Sequence, residues 1–224
     1  MTTPIAYFEQ MYARAPDPWS FETRWYDARK HALTAAAPTR PRYRSAFEPG
    51  CSTGRLTARL APLCDRLLAV DAVESAVESA ARRLTDTPNV IVRKARIPDE
   101  WPTESFDLIV LSELGYYFDD ADLATVLDRA VSSLEPGGDL IAVHWRWPVA
   151  EHFRSGDEVH EAIAAQPGLH RQGRHEEADF LLDIFTRVPP DARSVAQRDG
   201  LAPSTQPASS HALRPPRQPK PPRT

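Results

Sequence analysis

Between residues 45 and 145 the chain switches repeatedly between two hydrophobic periods. Short apolar runs at 45–48, 67–71, 89–93, 106–111 and 140–144 predict β-strands. The stretches at 54–63, 73–84 and 121–134 place apolar residues at helical spacing and predict the helices between them. Phe106 to Leu111 reads Phe-Asp-Leu-Ile-Val-Leu, a run suited to a strand buried on both faces. This alternation argues for a parallel sheet covered by helices. Pro136-Gly137-Gly138 reads as the stop signal of the helix over 121–134. A long irregular segment follows the strand at 140–144, and 169–175 with 179–188 predict a terminal β-pair.

The flanks differ from this core. Residues 1–38 carry Tyr7, Phe8, Tyr12, Trp19, Phe21, Trp25 and Tyr26 on two helical patterns, broken at Pro16-Asp17-Pro18-Trp19. Beyond Val188, Pro, Ser, Gln and Arg dominate, up to the Arg214–Arg223 proline-rich run. Such a segment cannot bury enough apolar surface to offset its ordering entropy, and is expected to be disordered or locally polyproline II. The organisation read from the sequence is a helical cap over 1–40, a core domain over 41–188 and a Pro/Arg-rich tail over 189–224.

The chemistry concentrates at Ala46-Phe-Glu-Pro-Gly-Cys-Ser-Thr-Gly54, a strand end, a glycine turn and a helix start. A turn of this kind brings backbone N–H groups up to a ligand. Asp71 ends the second strand, where a carboxylate can accept both hydroxyls of a ribose. A dinucleotide fingerprint would need glycines at 52 and 55; Ser52 and Arg55 stand there, which argues against a hydride cofactor. The acidic-x-Gly-x-Gly-x-Gly turn of class I methyltransferases fits better, with Glu48, Gly50 and Gly54 in place and Ser52 for the middle glycine.

Composition narrows the setting. The formal net charge is −4 over 224 residues. Residues 189–224 hold six basic and two acidic side chains, so the tail is net +4 and the rest −8. Nearly every basic residue is Arg, a pattern assigned to genome composition rather than nucleic-acid recognition. Cys51 and Cys64 lack metal-ligand spacing, so neither a disulfide scaffold nor a metal site is expected, and a reducing cytoplasm is the expected compartment. No membrane span or leader is expected.

Further stretches lie in order along the chain: Asp17-Pro-Trp-Ser-Phe21, Trp25-Tyr-Asp-Ala-Arg-Lys30, Leu68-Ala-Val-Asp71, Ile97-Pro98 with Trp101-Pro102, and Phe106 to Glu113 with Tyr116-Tyr117. Pro136-Gly-Gly138, Val143-His-Trp145 and Gly156-Asp-Glu-Val-His160 complete the set. With the glycine turn, they make the chain resemble the S-adenosylmethionine-dependent class I methyltransferases, and among them the nodulation protein S (NodS-like) N-methyltransferases, over roughly residues 5–188. The resemblance implies an α/β, three-layer Rossmann-like fold. Its seven-stranded, mostly parallel sheet would have one antiparallel C-terminal strand, helices on both faces and an N-terminal helical cap.

It also implies S-adenosyl-L-methionine as cofactor, across the carboxyl ends of the first strands. Gly50, Ser52 and Gly54 would pass close to the methionine moiety, Glu48 would orient the turn or meet the ammonium group, and Asp71 with Ala72 would hold the ribose. Arg96 and Ile97 would border the adenine, and Ser112 the methionine side. Trp19, Tyr26 and Lys30 would close over the site. For the transfer itself, Glu113 is expected to orient an amine or hydroxyl and His144 to take its proton, with Tyr116 and Tyr117 stacking on the acceptor. His152, His160 and His175 with Asp157 are read as a solvated or substrate-facing helix rather than a metal site. The expected reaction is N-methylation of a small molecule, such as an amino-sugar or oligosaccharide amine, by a monomer or homodimer. The alternatives are an O-methyltransferase of a natural product, or a non-catalytic cofactor-binding module that recruits a partner through its tail. Nucleic-acid methylation is disfavoured, because Ser112-Glu113-Leu114-Gly115 follows the fourth strand.

Overall fold

The computed structural model describes residues 2–203. The chain divides into two compact units, the first ending at Ala192 and the second starting at Arg193. In the first, α1 (Ile5–Arg14) and α2 (Trp25–Ala36) precede β1 (Ala46–Pro49), α3 (Arg55–Leu60) and β2 (Leu67–Asp71). Next come α4 (Glu74–Arg83), β3 (Val90–Lys94), β4 (Phe106–Ser112), a 3-10 turn (Gly115–Tyr117) and α5 (Asp120–Ser133). β5 (Leu134–Trp145), α6 (Gly156–Ala164), β6 (Leu169–Glu176) and β7 (Phe180–Arg187) end the unit. The seven strands lie in the order β3-β2-β1-β4-β5-β7-β6. β1, β2, β3, β4 and β5 pair in parallel, and β7 runs antiparallel to both β5 and β6.

Strand periodicity divides the core into two layers. Phe47, Leu68, Val70, Ile109, Leu111, Leu140 and Ala142 face Val126 and Leu127 of α5 and Val159 and Ile163 of α6. Their chain neighbours Ala46, Leu67, Leu108, Val110, Ile141 and Val143 face Leu56 and Leu60 of α3 and Leu33 of α2. The strand order reverses between β1 and β4, which opens a crevice at the carboxyl ends of those strands.

Two expectations change. The helix over 121–134 stops at Ser133, and Pro136-Gly137-Gly138 lies inside β5. There the pairing jumps from Phe106–Leu134 to Leu108–Asp139 while Asp107 accepts the backbone N–H groups of Arg44 and Ser45, so the glycines absorb a register shift instead of capping the helix. The segment after 189, expected to be structureless, forms a one-turn helix, α7 (Val195–Arg198), in the second unit. Ser194 and Gln197 form its reciprocal capping box. The polyproline reading of residues 214–223 lies outside the described residues. No helix among the described residues is long and apolar enough to cross a membrane.

α6 seats on β5 through a glycine. A Cβ on Gly156 would lie 2.3 Å from the Trp145 carbonyl oxygen and 3.0 Å from the His144 Cβ. Gly156→Ala gains helix propensity of no more than about 1 kcal/mol, whereas forced overpacking costs about 1–3 kcal/mol. The clash is expected to win and lower Tm by a few degrees in thermal unfolding; an unchanged or raised Tm would show that α6 relaxes freely.

Candidate active site

The crevice widens into a cavity of about 450 Å³ between the strand ends and the N-terminal helices. Its floor is the turn after β1. Gly50, Ser52 and Gly54 all adopt positive φ, at 72°, 50° and 76°. Ser52 therefore takes the backbone shape that a glycine would supply. Its hydroxyl is 2.6 Å from the Tyr12 hydroxyl of α1, and its N–H donates to Asp71 Oδ2 at 2.9 Å. Asp71 Oδ1 accepts the Val73 N–H at 3.0 Å. Burial raises the Asp71 pKa against these backbone donors. Glu48 is 2 % exposed and its Oε2 has no hydrogen-bond partner. Burial, with Asp71 nearby, pushes its pKa up to about 8.

The cavity brings together Trp19, Tyr26, Lys30, Glu48, Gly50, Ser52, Asp71, Ala72, Arg96, Ile97, Ser112, Glu113 and Tyr116. Arg96 is there at the rim, its side chain exposed and 3.8 Å from Asp99. Trp19 both lines the cavity and packs with Tyr12 on Val73 and Ala76. Two expected residues lie elsewhere. Gly54 caps α3 and does not line the cavity; a Cβ there would meet Ala80 of α4 and Leu84, the residue after it, at 3.0 and 3.1 Å. It serves the turn and the helix packing. His144 is fully buried and does not line the cavity; its Nε2 accepts the Gly115 N–H at 3.0 Å and its Nδ1 lies 3.1 Å from His160 Nε2. Both ring nitrogens are engaged, so His144 cannot take an acceptor proton.

The far wall carries a charge cluster. Lys30 Nζ, 3 % exposed, lies 2.8 Å from Glu113 Oε1 and 3.3 Å from Asp27 Oδ1, and 5.0 Å from the centre of the Tyr26 ring. Glu113 Oε2 accepts the Tyr116 hydroxyl and, at 3.1 Å, the Trp145 N–H. Burial opposes the Glu113 charge, but Lys30 and these donors hold its pKa below the usual value. Lys30 thus faces the carboxylates rather than standing open for the cofactor.

Sequence reasoning missed Tyr12, Asp27 and His31, which line the cavity; His152, read as solvated or substrate-facing, lines it too. Asp27 had a signal: it sits three residues before Lys30, on the same helical face. His152 stacks on Tyr116 with ring centres 3.7 Å apart. Burial holds its pKa below the ordinary value, outweighing the pull of Glu113 and Glu151. Among the described residues no group of three His, Cys, Asp or Glu side chains could hold a metal ion. Asp157 is instead paired with Arg146 at 2.8 and 3.0 Å.

The model of nodulation protein S (NodS) matches residues 9–159. The chain belongs to the nodulation protein S family. It is 30% identical to nodulation protein S of Rhizobium tropici over 183 residues, 76% of each chain. The solved N-methyltransferase NodS of Bradyrhizobium japonicum WM9, in complex with S-adenosyl-L-homocysteine, is 26% identical, with a TM-score of 0.72 over 82% of this chain and 98% of that one. A candidate methyltransferase from Pseudomonas syringae is 48% identical, with a TM-score of 0.66 over 73% of this chain and all of the other. The chain is an S-adenosylmethionine-dependent methyltransferase.

The site suits that cofactor. Glu48 borders the cavity beside the turn and would meet the methionyl ammonium group, and Asp71 would accept the ribose hydroxyls. A Cβ at Gly50 would lie 3.1 Å from the Leu114 side chain, so a larger residue there would crowd the turn as well as strain its φ of 72°. Asp71→Ala is expected to weaken S-adenosylhomocysteine binding about 10–100-fold by calorimetry, the range for charged hydrogen bonds. Glu48 sets a pH dependence. With a pKa of about 8 it is mostly protonated at pH 7, and an arriving ammonium lowers that value, so binding releases a proton. Affinity should rise from pH 6 to pH 8, and Glu48→Gln should flatten the rise; a flat profile in the parent chain would remove Glu48 from the ammonium site.

Proposed function

We propose that this methyltransferase acts on the amine nitrogen of a small-molecule acceptor, such as an amino sugar, bound between the charge cluster and the aromatic wall. The observation that carries the reading is that two carboxylates, Glu113 and Asp27, flank a single ammonium, Lys30, on the cavity wall. These carboxylates favour a cationic or N–H-donating acceptor over a neutral hydroxyl. Phe8, Tyr117, Tyr116 and His152 form a continuous edge-to-face and stacked wall that suits the C–H face of a sugar ring or another flat body. The Bradyrhizobium relative is an N-methyltransferase, which supports nitrogen over oxygen.

When bound, the cofactor supplies a methyl group on a sulfonium leaving group. The chain's own residues do the rest. Glu113 accepts an amine N–H and holds the lone pair toward the cofactor side of the cavity, which is orientation in the sense of effective molarity. An amine arrives largely as its ammonium form and must lose a proton before it can attack. His152, neutral at pH 7 and open to the cavity, receives that proton in place of His144. Tyr12, Trp19 and Phe21 cover the turn and exclude water.

Methyl transfer should be measured on a panel of amino sugars, simple amines and phenols. Transfer to amines is expected; transfer confined to hydroxyl members would overturn the reading. The acid limb of kcat/KM should lie below the ordinary histidine value of about 6.5, because only neutral His152 accepts a proton. His152→Gln should remove that limb and cost about 100-fold in kcat. An unchanged limb would assign the proton to another group.

A further inference from the structure

Four elements meet in a buried chain of hydrogen bonds that the proposed chemistry does not use. The Gly115 N–H donates to His144 Nε2 at 3.0 Å, His144 Nδ1 lies 3.1 Å from His160 Nε2, and His160 Nδ1 lies 2.8 Å from Asp183 Oδ2. His144, His160 and Asp183 are fully buried. Asp183 also accepts Arg174 Nε at 2.8 Å and Nη2 at 2.7 Å. The chain crosses from β7 through α6 and β5 to the turn after β4.

The proton positions follow from the donors. A backbone N–H can only donate, so His144 Nε2 is bare. A neutral His144 then carries its proton on Nδ1 and donates it to His160 Nε2. His160 Nε2 is bare in turn, its proton is on Nδ1, and Asp183 accepts it. Reversing any one bond sets two donors or two acceptors face to face. Burial, with His160, Lys30 and His152 adding, holds His144 neutral. Burial works against the Asp183 charge, but the bonds from Arg174 and His160 keep its carboxyl well below the usual range.

The far end of this chain holds the loop that carries Glu113. Glu113 has φ +54°, a backbone shape that a residue with a side chain keeps only when its surroundings fix it. Gly115, two residues on, sits so close that a Cβ would lie 2.5 Å from Val159 and 3.1 Å from His144 Nε2. Next to His144 on β5, the Trp145 N–H holds Glu113 Oε2. With the Glu113 N–H donating to the Val143 carbonyl at 2.8 Å, three successive β5 residues pin the loop, His144 through its side chain and its two neighbours through the backbone.

We infer that His144, His160 and Asp183 form a single-tautomer wire that positions the Glu113 loop for methyl transfer, with His144 a positioning residue rather than a proton acceptor. The inference rests on the reading of Glu113 as the acceptor-side carboxylate. Its first test needs no acceptor: nitrogen-15 spectra of histidine-labelled full-length protein should show both His144 and His160 as Nδ1–H tautomers. An Nε2–H signal from either residue overturns the wire. The second test compares variants on whichever acceptor is turned over. His144→Leu should keep S-adenosylhomocysteine affinity within about twofold and lower kcat by about 10–100-fold. His144→Gln, which keeps an acceptor for Gly115 and a donor for His160, should recover kcat to within about threefold of the parent. Equal losses in the two variants, or cofactor affinity falling in step with kcat, overturn the positioning role. A chain that transfers to no amine defeats the amine reading instead, and the tautomers still decide the wire.

Discussion

The buried pair between Lys30 and Glu113 is the constraint that the active site depends on. It joins α2, in the N-terminal helices, to the loop after β4, at the carboxyl end of the sheet. Removing one partner of a buried pair leaves an uncompensated charge and costs about 3–5 kcal/mol. That cost fixes the helices over the crevice more firmly than their apolar contacts alone. The same pair orders the electrostatics. It holds Glu113 ionised, sets Asp27 beside the same ammonium, and brings Tyr26, Tyr116 and Trp145 in around the two groups.

The turn after β1 solves a different problem. A left-handed residue with a Cβ is strained by about 1–2 kcal/mol, and Ser52 occupies such a position. A serine tolerates it here because its hydroxyl reaches Tyr12 and its N–H reaches Asp71. Each bond offsets about 1 kcal/mol. The departure from the glycine pattern therefore adds a tie instead of loosening the grip. It fastens α1 to the cofactor turn.

Most of the sheet was legible because parallel strands buried on both faces read as unbroken apolar runs, and Phe106 to Leu111 is such a run. Asp71 and the Glu48–Gly54 turn were legible because their spacing is local. Tyr12 was not: its tie to Ser52 spans 40 positions and leaves no periodic trace. Pro136-Gly137-Gly138 misled for a related reason. Turn residues mark a break in regular backbone, but whether that break caps a helix or absorbs a shift in strand register depends on the neighbouring strand, which no local window contains.

His144 shows where end-of-strand reasoning needs one more step. Glu113 follows β4 and His144 stands near the end of neighbouring β5 at matched register, Ser112 being paired with Val143, so both were read as facing one pocket. Strand side chains alternate faces, however. Trp145 lines the cavity and makes an edge-to-face contact with Tyr26, which sends His144 to the opposite face, under α6. Parity along β5, not distance from the crevice, decides which of the two residues meets a ligand. The imidazole suited to proton transfer comes from the irregular segment that follows, where His152 turns back onto Tyr116. One histidine is sealed and directional, the other half-open and neutral.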